Sequence, residues 1–154
     1  MSVAGVRVRG AQGADVDEVM VLERATATAP HWGVGVYAEI VAGQGAARCL
    51  FVAERNEGLV GFAVGMMGPD RVGELESVGV ADAAKRAGIG RALCMAVIDW
   101  CRTHAAMEIA LEVRAGSVGA IALYQGLGFV RSGRRPRYYS DPEEDAVLMR
   151  LLLQ

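Results

Sequence analysis

Seven consecutive residues, Lys85-Arg86-Ala87-Gly88-Ile89-Gly90-Arg91, stand just ahead of the most periodic apolar segment in the chain. The apolar positions Ile89, Ala92, Leu93, Ala96, Val97 and Trp100 are spaced as one stripe of an α-helix. The first N–H groups of such a helix lack internal partners and carry the positive end of its dipole, about half an elementary charge. Glycines there let a phosphate reach the amides, and Lys85, Arg86 and Arg91 add charge. The turn is therefore a candidate pyrophosphate cradle. It has neither the spacing of the dinucleotide fingerprint G-x-G-x-x-G nor the G-K-[ST] of a P-loop. An ordinary strand-to-helix turn with solvated arginines is the alternative.

Three carboxylates are candidates for proton transfer. Glu112 lies inside an apolar strand, Ile109 to Val113, where poor solvation would raise its pKa; pairing with Arg114 or another arginine is the alternative. Glu74 and Glu76 share one face of a predicted strand, two residues apart, and compete with a solvated or salt-bridged edge as the reading. Tyr124, taken alone, reads equally as a core aromatic. His31 and His104 are not close in sequence to any cysteine or acidic set, so no metal site is expected.

The elements that must position these residues alternate between strand and helix. Val6–Arg9 alternates with period two and predicts a strand. Asp15 with Glu18 predicts a capping box for a helix running to about Ala27. Pro30 to Gly33 breaks that helix, and a short second helix is expected from Val36 to Val41, ended by Gly43. Cys49–Glu54 and Leu59–Met67 predict a hairpin closed by Arg55 to Gly58. Glu74–Val80 is a fourth strand, and the long helix begins at Ile89. Ile109–Arg114, a helix over Ser117–Gln125, Phe129–Gly133 and Asp145–Leu152 complete the order. This order predicts an α/β (α+β) fold, a mixed seven-stranded sheet with helices on both faces.

The chain has 154 residues, so one domain spanning 1–154 is expected. No apolar run approaches the roughly 20 residues of a membrane span. A formal net charge of -2 draws it to neither nucleic acid nor anionic lipid. All but one of its 16 cations are arginine. Arg131, Arg134, Arg135 and Arg137 are followed at once by Asp141, Glu143, Glu144 and Asp145, which predicts mutual neutralisation rather than RNA binding. Cys49, Cys94 and Cys101 form no CxxC and are expected to be reduced thiols. The N-terminus shows no signal-peptide pattern, and a cytoplasmic location is expected.

The turn at Lys85–Gly90 resembles the acyl-CoA-binding motif [QR]-x-x-G-x-[GA] of the GNAT N-acetyltransferase superfamily, with Lys85 in the first position. Leu111-Glu112-Val113-Arg114-Ala115 with Ala120 to Phe129 resembles the LEVRAxNxxAIxLYxxLGF run of the ribosomal-protein-alanine N-acetyltransferases, the RimI type. Arg134 to Tyr139 with Glu144-Asp145-Ala146 resembles their tail. The resemblance implies a GNAT-like fold and an acetyltransferase that moves acetyl from acetyl-CoA to a protein N-terminus, the N-terminal Ala of a ribosomal protein. It implies pantetheine contacts at Val78, Gly79 and Val80, and pyrophosphate contacts along Lys85, Arg86, Ala87, Gly88, Ile89, Gly90 and Arg91. Ser117 stands where the family has a CoA-contacting Asn. Glu112 is implied as base and Tyr124 as the acid beside the thioester sulfur, with Glu74, Glu76, Trp32, Tyr138 and Tyr139 on the acceptor side. A lysine or small-amine acceptor, and a non-catalytic CoA-binding domain, are the alternative readings.

Overall fold

The computed structural model describes residues 2–3, 5–26, 29–43 and 47–153. In chain order its elements are β1 (Ser2–Val3), β2 (Val6–Gly10), α1 (Val16–Ala25), α2 (Val34–Val41), β3 (Arg48–Arg55), β4 (Gly58–Met67), β5 (Val72–Val80), α3 (Ile89–Thr103), β6 (Glu108–Arg114), α4 (Val118–Gly126), β7 (Val130–Tyr139) and β8 (Glu144–Leu152). The seven predicted strands are all present, and the two-residue β1 pairs onto the outer edge of β2. The sheet runs β1-β2-β3-β4-β5-β6-β8-β7. Every neighbouring pair is antiparallel except β5–β6.

Apolar residues on both faces of the central strands require two covers. On one face α3 and α4 pack over Ala53, Ala63, Leu75, Ile109, Leu111 and Met149. On the other, α1 and α2 pack over Leu50, Val52, Phe62 and Val64. The β3–β4 turn is made by Asn56 and Glu57, both at positive φ (51° and 66°), the backbone that matches strand twist in a two-residue hairpin. Gly43, just beyond α2, sits at φ +73° as a left-handed helix terminator.

Three expectations are corrected. Asp15 and Glu18 do not form a capping box. The Asp15 carboxylate is taken by the Arg9 guanidinium (2.7 and 3.0 Å) and the Gln12 N–H (2.7 Å), and Glu18 accepts from the Leu59 N–H (3.0 Å). A 3₁₀ turn, Gly13–Asp15, feeds α1 instead. The helix itself ends at Ala25, and Ala27 lies outside the described residues. The buried side of α3 is rotated toward Cys94, Ile98 and Cys101, leaving Ala96 and Trp100 half-buried. Finally, β7 runs past Gly133 to Tyr139. Pro136 has no N–H to donate, but β7 is the edge of the sheet and its pairing lapses between Arg135 and Tyr139, so no ladder bond is lost there.

Two register features shape the middle of the sheet. Val64 pairs with Ser77 while Gly65 pairs with Leu75, so Glu76 is an extra residue on β5. Such a bulge bends its strand and increases its twist. The parallel pairing of β5 with β6 covers only Val72↔Glu108, Gly73↔Ile109 and Glu74↔Ala110. Beyond Glu74, β5 pairs with β4 alone, and beyond Ala110, β6 pairs with β8 alone. The sheet therefore opens between Leu75–Val80 and Leu111–Arg114.

The packing of α3 against this region leaves no room for extra atoms. A Cβ at Gly65 would lie 2.5 Å from Val97 Cγ1 and 3.0 Å from Cys49 Sγ. Gly65→Ala is expected to destabilise the fold by about 1–3 kcal/mol, the usual effect of overpacking a close-packed interior. Urea denaturation of the two proteins measures this as a lower midpoint at an unchanged slope.

Candidate active site

A cavity of about 800 Å³ fills the opening on the α3–α4 face. Its floor is the end of β5 (Val78, Gly79, Val80), and one wall is the turn before α3 together with that helix's first residues. The opposite wall is α4, through Gly119, Ala120, Leu123 and Tyr124, and the last turn of α1 closes it with Leu22, Ala25 and Thr26. Ten of the implied site residues line this space: Val78, Gly79, Val80, Lys85, Arg86, Gly88, Ile89, Gly90, Arg91 and Tyr124. Ala87 and Ser117 do not line it. Ser117 is the residue preceding α4, with no side-chain cap hydrogen bond.

The turn has the local form an anion site needs. Gly88, at φ +80°, reverses the chain into α3 and leaves the first amides of the helix facing the cavity mouth. Lys85 makes an exposed ion pair with Asp82 at 2.9 Å, and Arg91 donates to the Gly126 carbonyl at 3.3 Å. The free backbone edges of β5 and β6 are the second resource: a strand that ends its pairing presents N–H and C=O groups to whatever enters. These residues fit an elongated ligand with an anionic head at the helix terminus and amides along its arm.

Tyr124 projects from α4 against Phe129, with ring centroids 6.0 Å apart at 63°. Burial pushes its hydroxyl well above the ordinary 10, with Cys94 and Tyr139 adding smaller effects, so it stays protonated through the neutral range. The three cysteines are buried free thiols, and burial raises Cys49 and Cys94 to about 12 and Cys101 to about 11.

The carboxylates occupy the other face of the same opening. Ile109, Leu111 and Val113 point into the α3 core, so strand alternation sends Glu112 to the α1–α2 side. Glu76 is taken by Arg48 in a bidentate pair, 2.8 and 3.1 Å, and the Arg48 guanidinium lies 4.8 Å from the Trp32 ring. Glu74 is half-buried. Burial raises its pKa above 4.5, Glu76 and Glu112 push the same way, and Arg48 opposes them. Arg114 does not pair with Glu112; it binds Glu144 (3.2 Å) and the carbonyls of Pro142 and Ser140, pinning the β7–β8 turn. Arg135 takes that place at 3.8 Å from Glu112.

Tyr138 and Tyr139 cover this face, their rings 5.1 Å apart edge to face, each against an arginine. The nearby Glu112 carboxylate raises the Tyr138 hydroxyl, and burial raises Tyr139 to about 12. The basic cluster is neutralised from within only in part: Arg134 pairs with Asp145 (2.7 Å) and Arg137 with Glu143 (3.2 Å), while Arg135 turns to Glu112, Glu144 is taken by Arg114, and Arg131 makes no ion pair among the described residues. The residues that sequence reasoning missed are Arg48 and Glu23. The Glu23 carboxylate, fully buried, accepts from the Trp32 N–H and the Tyr37 O–H. A signal for it existed: with Val16, Val19 and Met20 it completes an i, i+3, i+4, i+7 stripe, where a carboxylate is out of place.

Among the described residues no helix is long and apolar enough to cross a membrane. Comparison with known proteins agrees with the fold. The [Ribosomal protein bS18]-alanine N-acetyltransferase of Escherichia coli (strain K12) is 36% identical over 103 residues, 66% of this chain and 69% of that protein. The N-alpha-acetyltransferase RimI of Mycobacterium tuberculosis is 38% identical over 108 residues, 65% of this chain and 64% of that protein. A mycothiol acetyltransferase of Thermomonospora curvata is 36% identical over 93 residues, 60% of this chain but 31% of that protein. Across the curated relatives the matched share of their length thus varies widely, from 28% to 69%. The crystal structure of the ribosomal-protein-S18-alanine N-acetyltransferase from Escherichia coli superposes with a TM-score of 0.82 at 28% identity, covering 97% of this chain and 94% of that one. The acetyltransferase (GNAT) family model matches residues 18–129, and the chain belongs to that family.

Proposed function

We propose that the chain, residues 1–154 acting as one N-acetyltransferase domain, transfers acetyl from acetyl-CoA to the free N-terminal amine of a protein, with a ribosomal protein's N-terminal Ala as the favoured acceptor. The observation that carries this is the two-sided opening between β5 and β6, with a helix-terminus cradle and Tyr124 on one face and carboxylates on the other. The N-terminal acetyltransferases of Escherichia coli and Mycobacterium tuberculosis to which the chain is similar support the acceptor class. A small-amine acceptor is the second reading, favoured by the mycothiol acetyltransferase relative. Retention of Glu112 and Tyr124 speaks against a non-catalytic CoA-binding domain. Three buried, free thiols suit a reducing, cytoplasmic setting.

In this reading acetyl-CoA supplies an activated thioester. The α3 amides with Lys85, Arg86 and Arg91 hold its pyrophosphate, and the open edge of Val78–Val80 aligns its arm. An acceptor amine must lose a proton to attack. An α-amine, at about 7.7–8.0, asks less of a base than a lysine at about 10.4. Glu112 takes that proton, directly or through water, with Tyr138 orienting its carboxylate. Glu74 adds negative charge that attracts a cationic N-terminus. Tyr124 donates a hydrogen bond to the departing sulfur. Because burial holds the tyrosine above the ordinary thiol value of about 8.5, it stabilises the thiolate by sharing its proton rather than by giving it up outright.

The acceptor is tested with a panel: peptides with small first residues, an N-terminally blocked lysine peptide, and polyamines. CoA release and mass spectrometry are expected to place acetyl on the α-amine of the Ala peptide. Exclusive labelling of internal lysines, or turnover of polyamines alone, contradicts the proposal.

Catalytic roles separate in single-turnover kinetics. Tyr124→Phe is expected to lower the rate of the chemical step by about 10²-fold, the scale of removing one hydrogen-bond donor to developing charge, with acetyl-CoA affinity nearly unchanged. Glu112→Gln is expected to lower it by about 10-fold or more, the deficit easing at high pH as the amine deprotonates itself. A silent Glu112→Gln with a damaging Glu74→Gln would move the base to β5.

Glu74 also leaves a mark on stability. Its pKa in the fold is raised, so the fold favours its neutral form. That contribution is fully present below the ordinary value of 4.5 and is lost as pH rises through the raised one. Glu74→Gln, neutral at every pH, is therefore expected to melt higher than wild type at pH 8, with the difference closing toward pH 4.

A further inference from the structure

We infer that Glu23 is a positioning residue for the acceptor, acting from the core by fixing the height and tilt of Trp32. The inference rests on the proposed reading of the α1–α2 face as the acceptor side.

Glu23 lies in the last turns of α1 and is 0% exposed. A carboxylate there is expensive: it is desolvated, and it stands near the negative end of its own helix. Its oxygens are used unequally. Oε2 accepts from the Trp32 N–H at 2.8 Å and from the Tyr37 O–H at 2.7 Å, while Oε1 has no hydrogen-bond partner among the described residues. An apolar residue would have completed the stripe of Val16, Val19 and Met20 without that penalty, so the carboxylate is held for what Oε2 does. It ties the loop ahead of α2, through Trp32, and the first turn of α2, through Tyr37, to the end of α1.

The tie leads outward by direct contact. The Trp32 ring packs on Tyr37 with centroids 5.7 Å apart. The Arg48 guanidinium lies over the Trp32 ring, 4.8 Å from its centroid, and holds Glu76 bidentately. Trp32 thus sets where Arg48 stands, and Arg48 neutralises Glu76 and partly offsets Glu74, while Glu112 has Arg135 at 3.8 Å. The same helix end also borders the cavity, since Leu22, Ala25 and Thr26 line it. A Cβ on Gly79 would lie 2.5 Å from Thr26 Oγ1, so α1 is seated directly on the β5 floor. Losing the Glu23 tie frees the Trp32 side of this helix end and leaves the cavity side packed.

The test is a split between the two substrates. The acceptor is whichever member of the panel wild type turns over. Glu23→Ala is expected to raise the acceptor KM by about 10-fold or more, the scale of losing a hydrogen bond to a buried charged group, with kcat and acetyl-CoA affinity little changed. Glu23→Gln keeps an oxygen for both donors and is expected to restore the acceptor KM. Tyr37→Phe removes one of the two bonds and is expected to raise it by a smaller factor, which also covers the case that Glu23→Ala does not fold. Two readouts need no acceptor. In a Trp100→Phe background Trp32 is the only tryptophan, and Glu23→Ala is expected to shift its emission to the red. In wild type the Trp32 amide is expected to exchange with deuterium more slowly than those of His31 and Gly33.

An acceptor KM unmoved in folded Glu23→Ala or in Tyr37→Phe overturns the proposal, and so does a Glu23→Gln as impaired as Glu23→Ala. A Trp32 amide exchanging as fast as its loop neighbours removes the tie itself. If wild type acetylates only polyamines, the N-terminal reading falls while the emission and exchange results still decide whether Glu23 fixes Trp32.

Discussion

Three paired positions hold the centre of this molecule together, and everything functional depends on their being only three. β5 and β6 are parallel from Val72–Glu74 against Glu108–Ala110 and then part. Parallel strands need a long crossover, here α3, and a sheet with both faces covered would ordinarily zip to its ends. The extra residue Glu76 prevents that by twisting β5 just past the last pair. The gap leaves backbone groups of both strands available, and α3 begins beside it, with its N-terminal amides at the cavity mouth. A strand edge that would be a liability on a surface becomes a binding edge when helices cover it.

The same opening separates two electrostatic environments. On the α3–α4 side the lining is glycine, aliphatic residues, Thr26, three cations of which Lys85 is paired with Asp82, and a tyrosine kept protonated by burial. On the α1–α2 side Glu74, Glu76 and Glu112 act on one another, with Arg48 and Arg135 as the nearby compensating cations. An anionic donor and a cationic acceptor are sorted to opposite faces before any specific contact is made. Arg114 contributes indirectly: by holding Glu144 and the carbonyls of Ser140 and Pro142 it keeps Tyr138 and Tyr139 over the carboxylates.

Local periodicity carried most of the fold. Strict alternation in Val6–Arg9 and the 3–4 spacing from Ile89 are properties of a few neighbouring residues, and they appear as β2 and α3. Gly88 was legible for the same reason, since a glycine ahead of a helix has few other uses. What the sequence left open depends on partners distant along the chain. Asp15 has a capping residue's side chain, yet Arg9 and Gln12 claim it. Glu112 could pair with Arg114 or another arginine, and only the fold of β7 assigns Arg135 to it and Arg114 to Glu144. β7 extends past Pro136 because the sheet places it at an edge, a fact no local pattern holds. Glu23 was visible as an acid on an apolar stripe, but its partners lie 9 and 14 residues away across a turn.

The central claim is that the opened parallel pair and the α3 terminus together form the acetyl-CoA site. Amide chemical shifts followed while acetyl-CoA is titrated into the protein test it most directly. The account predicts the largest, saturable changes at Val78–Val80 and at the amides of Gly88 to Ala92, with smaller ones along Gly119–Tyr124. Changes concentrated elsewhere, such as the groove of Val8, Phe51 and Trp100 behind α3, with the Gly88–Ala92 amides unmoved at saturation, would contradict it.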